Sequence, residues 1–222
     1  MTLESSKTLG GIGAILILIG VFPYVSSFTF GILGLIGVIM ILVALSGLAK
    51  VYGDKGIFDN ALYGFIVGIV GAAVAAIVAV FAVLSNVKSL LEKLYPSWNG
   101  SFSSISSLSG QTPNTSNLSF SDVSSLLIGL VAVLVIIWVA LIIWAIFARR
   151  SLQILSTKST IGLFATASLV ILIGAALTIV IIGLFILWVG VLLLAIAFFQ
   201  LKPPIEQPPA QYVQPPTQPT PV

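Results

Sequence analysis

The sequence predicts an all-α fold: a polytopic integral membrane protein of six transmembrane helices, with both chain ends in the cytoplasm. Three observations carry that expectation. Of the 222 residues, 59% are hydrophobic and only 7% charged. An ordinary soluble domain is about a quarter charged, so a water-soluble fold of this composition would lack the polar groups to cover its exterior. The apolar residues gather into runs of roughly 20, the length needed to cross a hydrocarbon core of about 30 Å at 1.5 Å per residue. Finally, the basic residues fall almost entirely on one side of the resulting topology.

The first run extends from Thr8 to Tyr24, is closed by Pro23, and is followed by Val25-Ser26-Ser27. Lys7, the apolar stretch Ile12 to Phe22 and the small residues Ser26 and Ser27 follow the plan of a secretory signal peptide. Glu4 and the lack of an A-x-A-like site favour a retained helix instead. The second run spans Phe28 to Lys50. A loop from Val51 to Asn60 carries Asp54, Lys55 and Asp59, and the third run extends from Ala61 to Val87. Beyond it Val87, Leu90, Leu91 and Leu94 recur at helical spacing among Lys88, Glu92 and Lys93, as in an interfacial turn.

From Tyr95 to Ser121 the chain is dominated by Ser, Thr, Asn and Gly, with Pro96 and Pro113, and reads as an exposed loop. The fourth helix begins at Asp122, whose carboxylate suits a helix N-terminus, and ends at Arg149-Arg150, which suit a C-terminus. The block Ile161 to Leu201 has 41 residues, about twice a single span. It reads as a helical hairpin turning near Val180–Gly183, the alternative being one very long helix. The expected spans are thus 8–24, 28–50, 61–87, 122–148, 161–179 and 183–201, within a membrane domain covering residues 1–202. The tail Pro203–Val222 holds eight of the eleven prolines and suits an extended polyproline-II segment. Pro208-Pro209-Ala210-Gln211-Tyr212 and Pro216-Thr217-Gln218-Pro219 suit aromatic docking grooves, or the tail is a solvated spacer.

Lys and Arg near membrane ends stay on the cytoplasmic side. With the N-terminus inside, Lys7, Lys50, Lys55, Arg149, Arg150, Lys158 and Lys202 lie inside, and only Lys88 and Lys93 outside. The loop 88–121 is then extracellular, with candidate N-glycosylation sites at Asn99, Asn114 and Asn117, each in an N-x-S pattern. In so serine-rich a loop such patterns also arise by chance.

Cysteine and histidine are absent, which removes disulfides, thiolate chemistry, the usual zinc and haem ligands and most acid–base relays near neutral pH. All fifteen charged residues sit in loops, tails or helix ends, so a proton relay, a voltage sensor or an ion-pair-gated transporter lacks its obvious parts. Gly53-Asp54 matches half of an aspartyl-protease signature, but Asp54 and Asp59 read as turn and helix-flanking charges rather than paired carboxylates at membrane depth. No catalytic residue, metal or cofactor is expected. Nucleic acid is excluded as a partner because the basic residues are dispersed.

The spans do carry small residues. Gly64, Gly68, Ala72 and Ala76 recur every fourth position on the third helix and are expected to form a helix-packing face, since small residues let backbones approach when lipid offers no hydrophobic drive. Gly31, Gly34 and Gly37 step along the second helix, and Gly10, Gly11, Gly13 and Gly20 along the first. The fourth is rich in Leu, Ile and Val, with Trp138 and Trp144 towards its inner half, and suits a lipid-facing or partner-facing position. Ile15-Leu16-Ile17-Leu18-Ile19-Gly20 in the first helix parallels Leu169-Val170-Ile171-Leu172-Ile173-Gly174 in the fifth, each followed by a Gly-led helix, at Gly31 and Gly183. A duplicated hairpin or chance similarity would both give that pattern.

Three strings carry a resemblance: Ser6-Lys7-Thr8-Leu9-Gly10-Gly11-Ile12-Gly13, Ile57-Phe58-Asp59-Asn60-Ala61-Leu62-Tyr63-Gly64 and Ala195-Ile196-Ala197-Phe198-Phe199. Up to about Leu201 the chain resembles an archaeal family of membrane proteins of unknown function, domain of unknown function 996. The resemblance implies an archaeal cell membrane and transfers no activity. The expected role is therefore a non-enzymatic scaffold or accessory subunit of a cell-envelope complex. The alternative is a small transporter or channel using neutral polar and backbone groups. Expected partners are membrane lipid and other membrane protein subunits, or further copies of the chain.

Overall fold

The computed structural model describes residues 2–20 and 27–202, and among these the ordered elements are all helical. Helix α1 is Leu3–Gly20 and α2 is Ser27–Val51. Helix α3, Gly56–Val78, passes through a π-helical turn at Ala79–Val83 into α4, Leu84–Leu94. Two 3-10 turns, Phe102–Leu108 and Thr115–Asn117, lead to α5, Phe120–Ser159, and the chain ends in α6, Gly162–Leu177, and α7, Ile182–Phe199.

Several boundaries differ from those read in the sequence. Helix α1 starts at Leu3 rather than Thr8, because the Thr2 hydroxyl accepts from the Ser5 amide (3.3 Å) while the Thr2 amide donates to Ser5 Oγ (3.1 Å). This reciprocal pair satisfies first-turn donors as a capping box does. The expected end of that span, residues 21–24, lies outside the described residues, as does the tail 203–222. Helix α3 starts at Gly56 rather than Ala61, since Asp54 Oδ1 accepts from the Gly56 amide at 2.9 Å, shortening the expected loop to four residues between α2 and α3.

Helix α5 does not stop at Arg149-Arg150 but continues to Ser159, where Thr160 takes the left-handed conformation (φ 59°) that ends it. The extension is held by packing: Ser151, Leu152, Leu155 and Ser159 are buried, and Ser151 Oγ donates to the Ile57 carbonyl of α3 at 2.5 Å. The block 161–201 is two helices, α6 and α7, joined by a short turn.

Packing follows chain order. Helix α1 lies on α2, α2 on α3, α3 on α5, α5 on α6, α6 on α7, and α7 returns to α1, so the helices close into a ring. The core lies at the end of the ring bearing the N-terminus and Lys202. Leu48, Ile57, Leu155, Phe164 and Phe198 are fully buried there, and the Phe164 and Phe198 rings meet edge to face at 5.4 Å, a favoured aromatic geometry. At the other end α3–α4 and α5 rise clear of the bundle. At 39 and 40 residues each is about 60 Å long, twice a hydrocarbon core.

The two similar hairpins are also built alike. A Cβ added at Gly37 of α2 would lie 2.8 Å from Ile17 Cγ1 and 3.1 Å from the Ile17 amide nitrogen. One added at Gly190 of α7 would lie 2.7 Å and 3.0 Å from the same atoms of Ile171. Ile17 and Ile171 are the third residues of the two parallel strings. In both hairpins a glycine of the second helix thus admits the same isoleucine backbone of the first.

Candidate functional site

The small-residue face of α3 meets α5, but its phase drifts from the expected stripe. Gly64 is buried, and a Cβ there would sit 3.1 Å from Phe147 Cβ and 3.4 Å from Trp144 Cδ1. The closest approach is at Gly71, where a Cβ would lie 2.3 Å from Ala140 Cβ, and Ala75 is buried beyond it. At Gly68 the nearest atom is Trp144 Cδ1 at 4.0 Å. Ala72 and Ala76 are exposed and line an open groove of about 560 Å³ between α3 and α5, with Val133 and Ile137 opposite. The reason is geometric: steps of four rotate about 40° past a full turn on a helix of 3.6 residues per turn, whereas alternating steps of four and three stay on one seam. The seam therefore runs Gly64, Gly68, Gly71, Ala75. We expect Gly71→Ala to lower the melting temperature in detergent several degrees more than Gly68→Ala, because only the former forces two main chains apart; equal melting of the two variants would reject the close contact.

Above the groove the π turn brings Asn86 into play: its Nδ2 donates to the Ala82 carbonyl at 2.5 Å and reaches the Ser125 carbonyl of α5 at 3.4 Å. Higher still, Lys93 at the end of α4 pairs with Asp122 in the first turn of α5 at 2.6 Å. The intervening loop is organised around buried Trp98, whose Nε1 donates to the Ser101 carbonyl and to Ser104 Oγ, both at 3.0 Å. Asn99 and Asn114 are exposed, each with its carboxamide oxygen accepting from the amide two residues on, at 3.0 Å. The Asn117 side chain lies outside the described residues.

On the ring axis is a cavity of about 160 Å³ lined from every helix of the ring, by Ile17, Leu45, Phe65, Trp144, Ile171 and Val191 among others. Its lining is apolar apart from Ser151 and the Trp144 indole, and the Ser151 hydroxyl is spent on Ile57. Trp138 ties α5 to α6 by donating from its Nε1 to the Ala176 carbonyl at 3.1 Å. Asp54, besides capping α3, lies 3.7 Å from Lys158 Nζ. Among the described residues no three acidic, His or Cys side chains group as metal ligands would.

The three strings quoted from the sequence converge at the packed end. Gly10 and Gly11 of the first lie directly beneath the rings of Phe198 and Phe199 of the third, and Ile57 of the second joins Phe198 in the core. The glycines leave room for the phenylalanine rings where α7 closes on α1. With the described residues folded into helices, five of them long and apolar enough to cross a membrane and a sixth apolar but shorter, the chain falls in the class of α-helical membrane proteins. The chain belongs to a family described as protein of unknown function (DUF996), whose model matches residues 33–192. It is also similar to an uncharacterized protein of Methanocaldococcus jannaschii, MJ1644, with 29% identity over 201 residues, covering 90% of this chain and 94% of that one. No solved structure matches it.

Proposed function

We propose that this protein is a non-enzymatic scaffold or accessory subunit of a cell-envelope membrane complex, embedded as six spans with both termini in the cytoplasm. The observation that carries this reading is the unequal packing of the bundle. One end is closed around the phenylalanines, whereas the outer halves of α3 and α5 expose Ile69, Val70, Ile77, Ile128, Val131 and Leu134 beside the apolar groove. Such a surface suits a helix of another subunit, or of a second copy, as well as lipid. The apolar axial cavity weighs against the second reading, a small transporter or channel using neutral polar and backbone groups, because ions there would lose their water with nothing in return.

The basic asymmetry supports placing the packed end inside, and the extension of α5 carries Arg149, Arg150 and Lys158 to that side. In this reading the loop 88–121 is extracellular, with Asn99, Asn114 and Asn117 available to a glycosylating host. The Pro/Gln-rich tail 203–222 is then on the cytoplasmic side. Mild solubilisation of native membranes into lipid discs, followed by mass spectrometry, tests the role: a stoichiometric membrane partner or a defined homo-oligomer is expected, and a lone monomer would count against it. Orientation is checked separately, in a chain with no native cysteine. Cysteines at Ser103 and Thr115 should react with an impermeant thiol reagent on intact cells, and cysteines at Lys55 and Thr157 should not; the reverse pattern would invert the topology.

A further inference from the structure

We propose that the packed end of the bundle carries a binding site for the phosphate of an anionic membrane-lipid headgroup, in the cleft framed by Lys7, Lys158 and Lys202. The cleft has a volume of about 1070 Å³ and lies where the start of α1, the end of α2, the α5–α6 connection and the end of α7 meet. Three separate elements each bring one lysine to it, and among the described residues none of its twelve lining residues is acidic. Asp54, at 3.7 Å from Lys158, offsets part of one charge; among the described residues Lys7 and Lys202 form no ion pair.

Two further features suit a phosphate. Helix α6 begins at this cleft, with Gly162 and Leu163 among the lining residues, and its cap residue Ile161 supplies no side-chain acceptor. Its first-turn amides and the positive end of its dipole add to the lysines, and the three lysines together with them outweigh the carbonyl ends of α5 and α7 that line the same cleft. The Tyr52 hydroxyl donates to the Lys202 carbonyl at 3.3 Å, which fixes the segment bearing the third lysine. A lipid rather than a free phosphate is favoured because Leu163, Phe199 and Leu201 wall the same cleft, so charge and apolar surface stand side by side as headgroup and glycerol do. Basic pockets between helices at a membrane surface bind headgroups in this way. The proposal rests on the reading of this end as lying at the membrane surface, but not on which leaflet it faces.

The test uses the full chain purified in an uncharged maltoside detergent, with tryptophan-fluorescence melting and native mass spectrometry as readouts. Short-chain phosphatidylglycerol should bind saturably and raise the melting temperature, while phosphatidylcholine of the same chain length should not. Near a membrane surface each lysine is worth roughly a five-fold change in affinity, so the K7Q/K202Q double variant should bind at least about ten-fold more weakly. K88Q at the opposite end should bind as the parent does, and K7R/K202R should retain binding. If the double Gln variant does not fold, K202Q alone should still show a roughly five-fold loss. Equal affinity of the Gln variants and the parent, or equal binding of phosphatidylcholine, would overturn the site. Protection by inorganic phosphate at the same concentrations as the lipid would overturn the lipid as its source. Binding in detergent does not depend on orientation, so an inverted cysteine-labelling pattern would sink the topology and leave this proposal standing.

Discussion

Gly183→Ala is expected to prevent the α6–α7 hairpin from forming. A Cβ at Gly183 would lie 2.2 Å from the Leu177 carbonyl carbon and from the Thr178 nitrogen, and 2.4 Å from the Leu177 oxygen. All of these are main-chain atoms, so no rotamer change relieves the overlap; the last turn of α6 would have to unwind or the two helices part. Overpacking a core commonly costs about 1–3 kcal/mol, and a contact with rigid backbone belongs at or above the top of that range. Gly174 and Gly190 depend on the same helix pair, with added Cβ atoms 2.7 Å from the Leu187 nitrogen and the Ile171 Cγ1 respectively, so parting the helices would loosen the rest of the hairpin. Expression and size-exclusion profile in detergent, compared with Gly31→Ala, form the check, since a Cβ at Gly31 meets nothing within 4 Å. A Gly183→Ala protein as monodisperse and heat-stable as Gly31→Ala would show that the turn has another geometry.

A large effect is also expected at the crossing of α1 and α2, where Gly13 and Gly37 face each other. A Cβ on Gly13 would lie 2.7 Å from the Gly37 oxygen, and a Cβ on Gly37 would lie 2.6 Å from the Gly13 oxygen. Each alanine substitution should destabilise by about 2–3 kcal/mol. The double variant should cost less than the sum, because one added methyl already spreads the helices and opens room for the other. A double-mutant cycle measured by detergent-denaturant unfolding reads this directly, with a coupling of about 1 kcal/mol expected for neighbours in contact. Strict additivity would mean that the glycines do not touch.

Length and hydropathy made the helices legible in the sequence, because crossing a bilayer imposes a length that composition alone displays. Where the helices end was less legible. Arg149-Arg150 has the charge of a helix terminus, yet α5 passes it, since buried Leu152 and Leu155 continue the apolar face across a stretch that is polar on average. The same failing placed the start of α3 late: Asp54 reads as a loop charge until its carboxylate is seen holding the Gly56 amide. The stripe on α3 was legible as a set of small residues but not in its phase, because Gly71 and Ala75 are seam positions only relative to Ala140 and Trp144 on a helix some 70 residues away. Of the cationic cleft the sequence shows only that its lysines share one side. Lys7, Lys158 and Lys202 are far apart in the chain, and only the closure of α7 on α1 brings them round one opening.

That closure also sets an order in time. Ribosomes add about 5–20 residues per second, so α7 emerges roughly 10–30 s after α1 is complete. Until then the bundle is an arc with a free edge, and the Gly10–Gly11 face of α1 has no phenylalanine rings to receive. The last helix made is thus the keystone of the assembly: nascent chains halted before Phe198 should be held by insertion chaperones and quality-control proteases, and completed chains should escape them.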